Sequence, residues 1–167
     1  LAGAKTMSNR LRAPLAKVRA AAPEDFPQMM SLLQELYSEN GAVSVNWAKV
    51  EAKIIQGING DMSSVGVIGV RGGPIEGMIF VQFSSFWYSD DLILEELYNF
   101  VPERYRNTRN AKALIQFGKD CSDRLNVPLL IGIISNKRTA AKIRLYSRLL
   151  GAMAGAYFLY NAHTGGR

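Results

Sequence analysis

Apolar and polar positions along the chain change period several times, and the changes mark out its elements. Residues 18–22 form a short apolar run stopped by Pro23, which predicts a first strand. Phe26, Met30, Leu33 and Tyr37 then recur at helical spacing, with acidic residues in the first turn and Asn40-Gly41 at the end. Trp47, Val50, Ile54 and Ile58 predict a second helix, ended by the glycines of 57–60. Strand character follows. Residues 64–70 and 75–83 flank the turn RGGP (71–74) as a hairpin. A polar and aromatic loop covers 84–91, and 92–101 read as a third consecutive strand. Pro102 closes that strand, because proline cannot donate to a strand ladder.

Beyond a basic connector, Leu114, Phe117, Cys121 and Leu125 fall on one face of a helix. PLLIGII (128–134) is a continuous apolar run, expected of a strand buried on both faces. Thr139, Ile143, Tyr146 and Leu150 mark a helix over about 138–150, and 155–161 read as a last strand. The order β-α-α-β-β-β-α-β-α-β predicts a single α/β (α+β) domain over 16–162, with a mixed sheet and helices on both faces. Residues 1–15 read as an N-terminal extension or cloning remnant with Met7 as the natural start, and 163–167 as a flexible tail.

Composition narrows the chemistry. The 167 residues include one cysteine and one histidine, His163 in the Gly-rich tail. That excludes an intramolecular disulfide and a cysteine-based zinc cage, and disfavours a His-based hydrolase or a His-ligated metal site. A reducing cytoplasm suits such a chain. The longest apolar run, 149–160, is too short to span a bilayer as a helix, and no secretory signal is seen, so no membrane partner is expected. The net charge of +6 suggests an anionic partner: nucleic acid, a membrane surface or a phosphorylated cofactor.

The segment NFVPERYRNTRNAKAL (99–114) carries the sharpest signal: a strand end, a loop with Arg104, Arg106 and Arg109, and a helix start. Unpaired N–H groups at a helix N-terminus bind phosphate oxygens, and arginines around them add charge-assisted bonds. The arrangement suits a pyrophosphate. It has neither the GxGxxG nor the GxxxxGK[ST] pattern, so neither a dinucleotide fold nor a P-loop is supported.

Arg106-Asn107-Thr108-Arg109-Asn110-Ala111 resembles the Q/R-x-x-G-x-G/A fingerprint of the GNAT superfamily of acetyl-CoA-dependent N-acetyltransferases, with Arg109 at the central glycine. The element order from residue 18 to about 160 is similar to that fold throughout. The resemblance implies a mostly antiparallel sheet of six to seven strands flanked by about four helices. It implies acetyl-CoA, without a metal, lying where the fourth and fifth strands part. The pantetheine arm would then pair with the backbone of Asn99, Phe100 and Val101. Its phosphates would meet Arg106, Asn107, Thr108, Arg109, Asn110, Ala111 and Lys112, with Asn136 as a further pantetheine contact. Tyr146 in LYSRLLG resembles the family's LYxxxGF tyrosine and is the expected general acid; Glu95 falls where some members keep a general base.

Strict alternation would place Glu95, Leu97, Asn99 and Val101 on one face of their strand and Glu96, Tyr98 and Phe100 on the other. The acceptor implied is a small-molecule or peptide amine; Asp90 and Asp91, beside Trp87 and Tyr88, favour a cationic one. Homodimers are common for the fold. Two other functions fit the same chain: a non-catalytic CoA-binding module, and a basic protein binding or acting on RNA, such as aminoacyl-tRNA.

Overall fold

A computed structural model describes residues 17–135 and 138–160. The elements are β1 (Arg19–Ala20), a 3-10 turn (Pro23–Asp25), α1 (Phe26–Asn40), α2 (Trp47–Asn59), β2 (Ser63–Ile68), β3 (Gly77–Ser84) and β4 (Ile93–Phe100). A 3-10 turn (Glu103–Tyr105), α3 (Asn110–Leu125), β5 (Leu129–Leu130) and α4 (Thr139–Leu150) follow. The strands form one sheet in the order β1-β2-β3-β4-β5, antiparallel except for the parallel pair β4–β5.

Helices cover both faces, because the central strands are apolar on both. On one side Val65, Val67, Met78, Phe80 and Phe100 pack against Met29, Leu32, Leu33 and Leu36 of α1 and Ile54 and Ile58 of α2. On the other, Ile68, Ile79, Val81 and Leu94 meet Leu114, Phe117 and Cys121 of α3. The buried face of α1 is turned by about one residue from the expected stripe: Met30 and Tyr37 are only partly buried. Leu32 and Leu36, which a four-point count skips, carry the contact.

Close approach decides one helix–sheet contact. A Cβ on Gly57 of α2 would stand 2.5 Å from the Phe80 ring and 2.7 Å from a Val65 methyl. Gly57→Ala is therefore expected to destabilise the fold by about 1–3 kcal/mol, read as a lower thermal midpoint, despite alanine's better helix propensity.

Three expectations change. Among the described residues the sheet has five strands, not six or seven. The run 128–134 pairs only at Leu129 and Leu130 and is half-buried instead of enclosed on both faces, because β5 stands at the sheet edge. Residues 155–160 lie exposed and outside any strand, so the last strand is not formed there; Asn161 is outside the described residues.

A bulge at Leu97 matters most for function. Val81 pairs with Glu96 but Phe80 pairs with Tyr98, so Leu97 is the extra residue in β4. The alternation reverses across it. Leu94, Glu96 and Asn99 face α3 and α4, whereas Glu95 shares its face with Tyr98 and Phe100. The expected set Glu95-Leu97-Asn99-Val101 is thus overturned: Asn99 is joined by Glu96, not Glu95.

Candidate active site

β4 and β5 are paired only at Leu94 with Leu129 and Glu95 with Leu130, and then part. The opening between them is a cavity of about 220 Å³. Asn99, Phe100 and Val101 line it from β4; Tyr105, Arg106, Asn107 and Thr108 from the following loop; and Ala111 from α3. Arg138, Ala141, Lys142, Leu145 and Tyr146 close it from the α4 side, and Glu39 and Asn40 from the end of α1.

Asn99 and Tyr146 of its lining are hydrogen-bonded to each other, and Asn99 links them to Glu96 behind the wall. Asn99 Nδ2 donates to Glu96 Oε1 at 3.0 Å and to the Tyr146 hydroxyl oxygen at 2.6 Å. The backbone N–H of Gly132, on the diverging segment after β5, donates to Glu96 Oε2 at 3.3 Å. Burial pushes the Glu96 carboxyl up to about 7; the Gly132 and Asn99 donors and the Lys142 ammonium pull the other way without cancelling it. Burial, with the Glu96 carboxylate beside it, also holds the Tyr146 phenol well above its ordinary value, and the Asn99 donor opposes them. Because Asn99 donates to the phenolic oxygen, that bond does not use the phenol's own hydrogen.

Glu95 lies elsewhere. It accepts from Gln82 Nε2 at 3.0 Å on the strand next door; neither glutamate lines the cavity, and only Glu96 is joined to it, through Asn99. The sequence signal that would have found Glu96 is the bulge, which alternation alone does not reveal.

Asn107 has φ 65° and Arg138, ahead of α4, has φ 59°, left-handed conformations that asparagine tolerates and arginine rarely adopts. Such strain clusters at functional sites. Thr108 Oγ1 accepts from Asn110 N–H at 3.1 Å, starting α3. Arg109 is exposed at the helix N-cap, and Lys112 is exposed in the first turn; neither lines the cavity. The Asn110 side chain is turned into the fold, accepting from Lys17 Nζ at 2.6 Å and donating to Glu76 at 3.0 Å. Asn136 lies outside the described residues, as does His163.

Arg106 is held differently from expectation. Its Nη2 donates to both Glu39 oxygens at 2.7 and 2.8 Å, and its Nε to the Val101 carbonyl at 3.0 Å. The guanidinium joins α1 to the loop, and two further cations that the sequence pattern did not single out, Arg138 and Lys142, line the cavity. Lys142 Nζ donates to Ser135 Oγ at 2.9 Å; burial and nearby Arg106 lower its pKa, while Glu39 and Glu96 oppose the shift. Among the described residues no group of His, Cys, Asp or Glu assembles as a metal-ligand set, and no helix is long and apolar enough to cross a membrane.

No family model and no curated protein matches the sequence. Solved structures do match the fold. The aminoglycoside acetyltransferase AAC(6')-Iy, in complex with the bisubstrate analogue CoA-S-monomethyl-acetylneamine, superposes with TM-score 0.65 at 14% identity over 86% of this chain and 95% of its own. A ribosomal-protein-alanine N-acetyltransferase from Brucella melitensis gives 0.62 at 13% identity over 85% and 95%. A Trypanosoma brucei acetyltransferase gives 0.63 at 19% identity over 85% and 95%. With this element order and a sheet that splays between β4 and β5, the chain has the GNAT acetyltransferase fold.

Proposed function

We propose that the protein is an N-acetyltransferase moving acetyl from acetyl-CoA to a primary amine by direct attack in a ternary complex. The observation that carries this reading is the Glu96–Asn99–Tyr146 relay set at the point where β4 and β5 part. The residues fit such a cosubstrate. On the β5 side, β4 has no strand beside Asn99 and Phe100 among the described residues, so its backbone there can pair with an amide-bearing arm. The first turn of α3, with Arg106, Arg138 and Lys142 around the cavity, provides a cationic setting for phosphates. When bound, acetyl-CoA supplies the thioester carbonyl as electrophile.

The chain's own residues manage the protons. A carboxyl displaced to about 7 is matched to accepting a proton near neutral pH, so Glu96 takes the acceptor amine's proton, directly or through water. As the new N–C bond forms and the C–S bond breaks, the Tyr146 O–H gives its proton to the departing sulfur. A phenol held protonated is in the right state for that step. No covalent enzyme intermediate is required.

Calorimetric titration with acetyl-CoA, followed by a screen of primary amines, tests the reading. Saturable binding and amine-dependent thiol release support it; folded protein that binds no acetyl-CoA ends it. Tyr146→Phe is expected to lower kcat by about a hundredfold or more with an essentially unchanged thermal melt. Turnover equal to wild type would remove the tyrosine from the mechanism.

A further inference from the structure

The cleft between β4 and β5 contains an amine of its own. Lys142 lines the cavity together with Tyr146. The two lie four residues apart on α4, so they share a helix face, with Cβ atoms about 5–6 Å apart. Each is half-buried. Among the described residues no other lysine lines the cavity. Lys49 and Lys112 are exposed, Lys17 bonds Asn110, Lys53 bonds Gln56, and Lys119 bonds the Leu149 carbonyl.

The surroundings of Lys142 suit a nucleophile better than a fixed charge. Its Nζ donates to Ser135 Oγ at 2.9 Å, and that hydroxyl gives its own hydrogen to Asn40 Oδ1 at 3.1 Å. Ser135 is thus an acceptor for Lys142, and the bond leaves the lone pair of a neutral amine uncommitted. Lys142 makes no ion pair with a described residue. Burial and the nearby Arg106 guanidinium push its pKa down, and Glu39 and Glu96 offset only part of that. Desolvation and a neighbouring cation are the two means by which a lysine amine is activated for attack on a carbonyl. A lysine kept only to meet phosphates gains nothing from either.

Resting on the acetyl-CoA reading of the cleft, we propose that Lys142 is a self-acetylation site, taking the acetyl group from acetyl-CoA bound in its own chain when no amine acceptor is present. The four-carbon stem lets Nζ leave Ser135 and turn along α4 toward Tyr146. The neutral Nζ attacks the thioester carbonyl carbon, and its N–C bond forms as the C–S bond breaks. One proton passes from Nζ to Glu96 through water, and one from Tyr146 to the departing sulfur. Exchange with solvent then restores both groups. The products are Nε-acetyllysine and free CoA thiol, and no other reactant is consumed. The modification removes a positive charge from the wall of a cavity of about 220 Å³ and adds an acyl group to it. Each chain therefore reacts once and is left with a weakened cosubstrate site.

Peptide mapping by mass spectrometry, after incubation of the full chain with saturating acetyl-CoA and no amine, tests this. The expected result is one acetyl group per chain at Lys142, gained about a hundredfold faster than at exposed Lys49 or Lys112, because proximity replaces collision. The rate per chain should be unchanged on dilution of the protein, since donor and amine belong to one complex. Lys142→Arg should lose the label; if that variant fails to fold, the wild-type map decides alone. Acetylation spread evenly over the exposed lysines overturns the proposal, as does a rate that falls on dilution. So does an unmodified Lys142 in a chain that binds acetyl-CoA by calorimetry. If that chain also acetylates added amines, the proposed function stands and only this inference fails. A folded chain that binds no acetyl-CoA ends both.

Discussion

Glu96→Gln is expected to lower kcat/KM by about 10² to 10⁴, the range over which a positioned base contributes. The amide keeps the volume and can still accept from Gly132 N–H, but it cannot take a proton. Glu95→Gln is the internal control. Its carboxylate bonds Gln82 on the other face of β4, so that variant should retain wild-type turnover. The reverse ranking would restore the role that simple alternation assigns to Glu95.

The same substitution has a pH signature. Wild-type kcat/KM should fall about tenfold per pH unit below about 7, where Glu96 is protonated, and level off above it. In Glu96→Gln that limb disappears. Stability moves with opposite sign. Because the folded-state pKa lies above the unfolded value, the native state binds more protons between about 4.5 and about 7. This group's contribution is therefore best at low pH and declines as pH rises through that window. At pH 8 Glu96→Gln should be more stable than wild type by up to about 3 kcal/mol, less the bond it loses from Asn99. A variant that gains stability while losing turnover is the pattern of a site strained for function.

Much of this was legible in residues. Element order followed from periodicity because each helix has an apolar stripe and each central strand an apolar run, and those patterns depend only on local spacing. Asn99, Phe100, Val101, Arg106, Asn107, Thr108, Ala111 and Tyr146, all singled out in the sequence, line one cavity, whereas Arg109, Asn110 and Lys112 do not. What stayed hidden depends on register or tertiary partners. A one-residue bulge at Leu97 is silent in a period-two pattern, yet it exchanges Glu95 for Glu96 beside Asn99. Glu39 reads as an ordinary acid near the end of α1, and only the fold brings it to Arg106, 67 residues away. Residues 128–134 look like a central strand because their sequence is apolar; edge position is set by what pairs beyond them, which local sequence does not encode.

Asp25 shows the same limit for stability, and its replacement should be the most disruptive single change outside the cleft. In the sequence it is one of two acids in a helix first turn. In the structure it is 0% exposed and accepts four hydrogen bonds: Arg19 Nη1 at 2.7 Å, Arg19 Nη2 at 2.9 Å, Ala22 N–H at 2.8 Å and Gly72 N–H at 3.2 Å. One carboxylate thereby ties β1, the 3-10 turn before α1 and the β2–β3 turn. Burial raises its pKa, but the Arg19 bond and the two backbone donors outweigh it, so the net displacement is downward. Its stabilisation is accordingly present above the ordinary carboxylate range and is lost as pH falls through the depressed native value. Asp25→Ala leaves a partly buried guanidinium and two N–H groups without their acceptor, which should cost about 3–5 kcal/mol. For a chain of this size that lowers the thermal midpoint by about 6–20 °C. Asp25→Asn keeps one acceptor oxygen and should fall between the two. A melt of Asp25→Ala within a degree or two of wild type would mean that this network does not hold the N-terminal half of the sheet together.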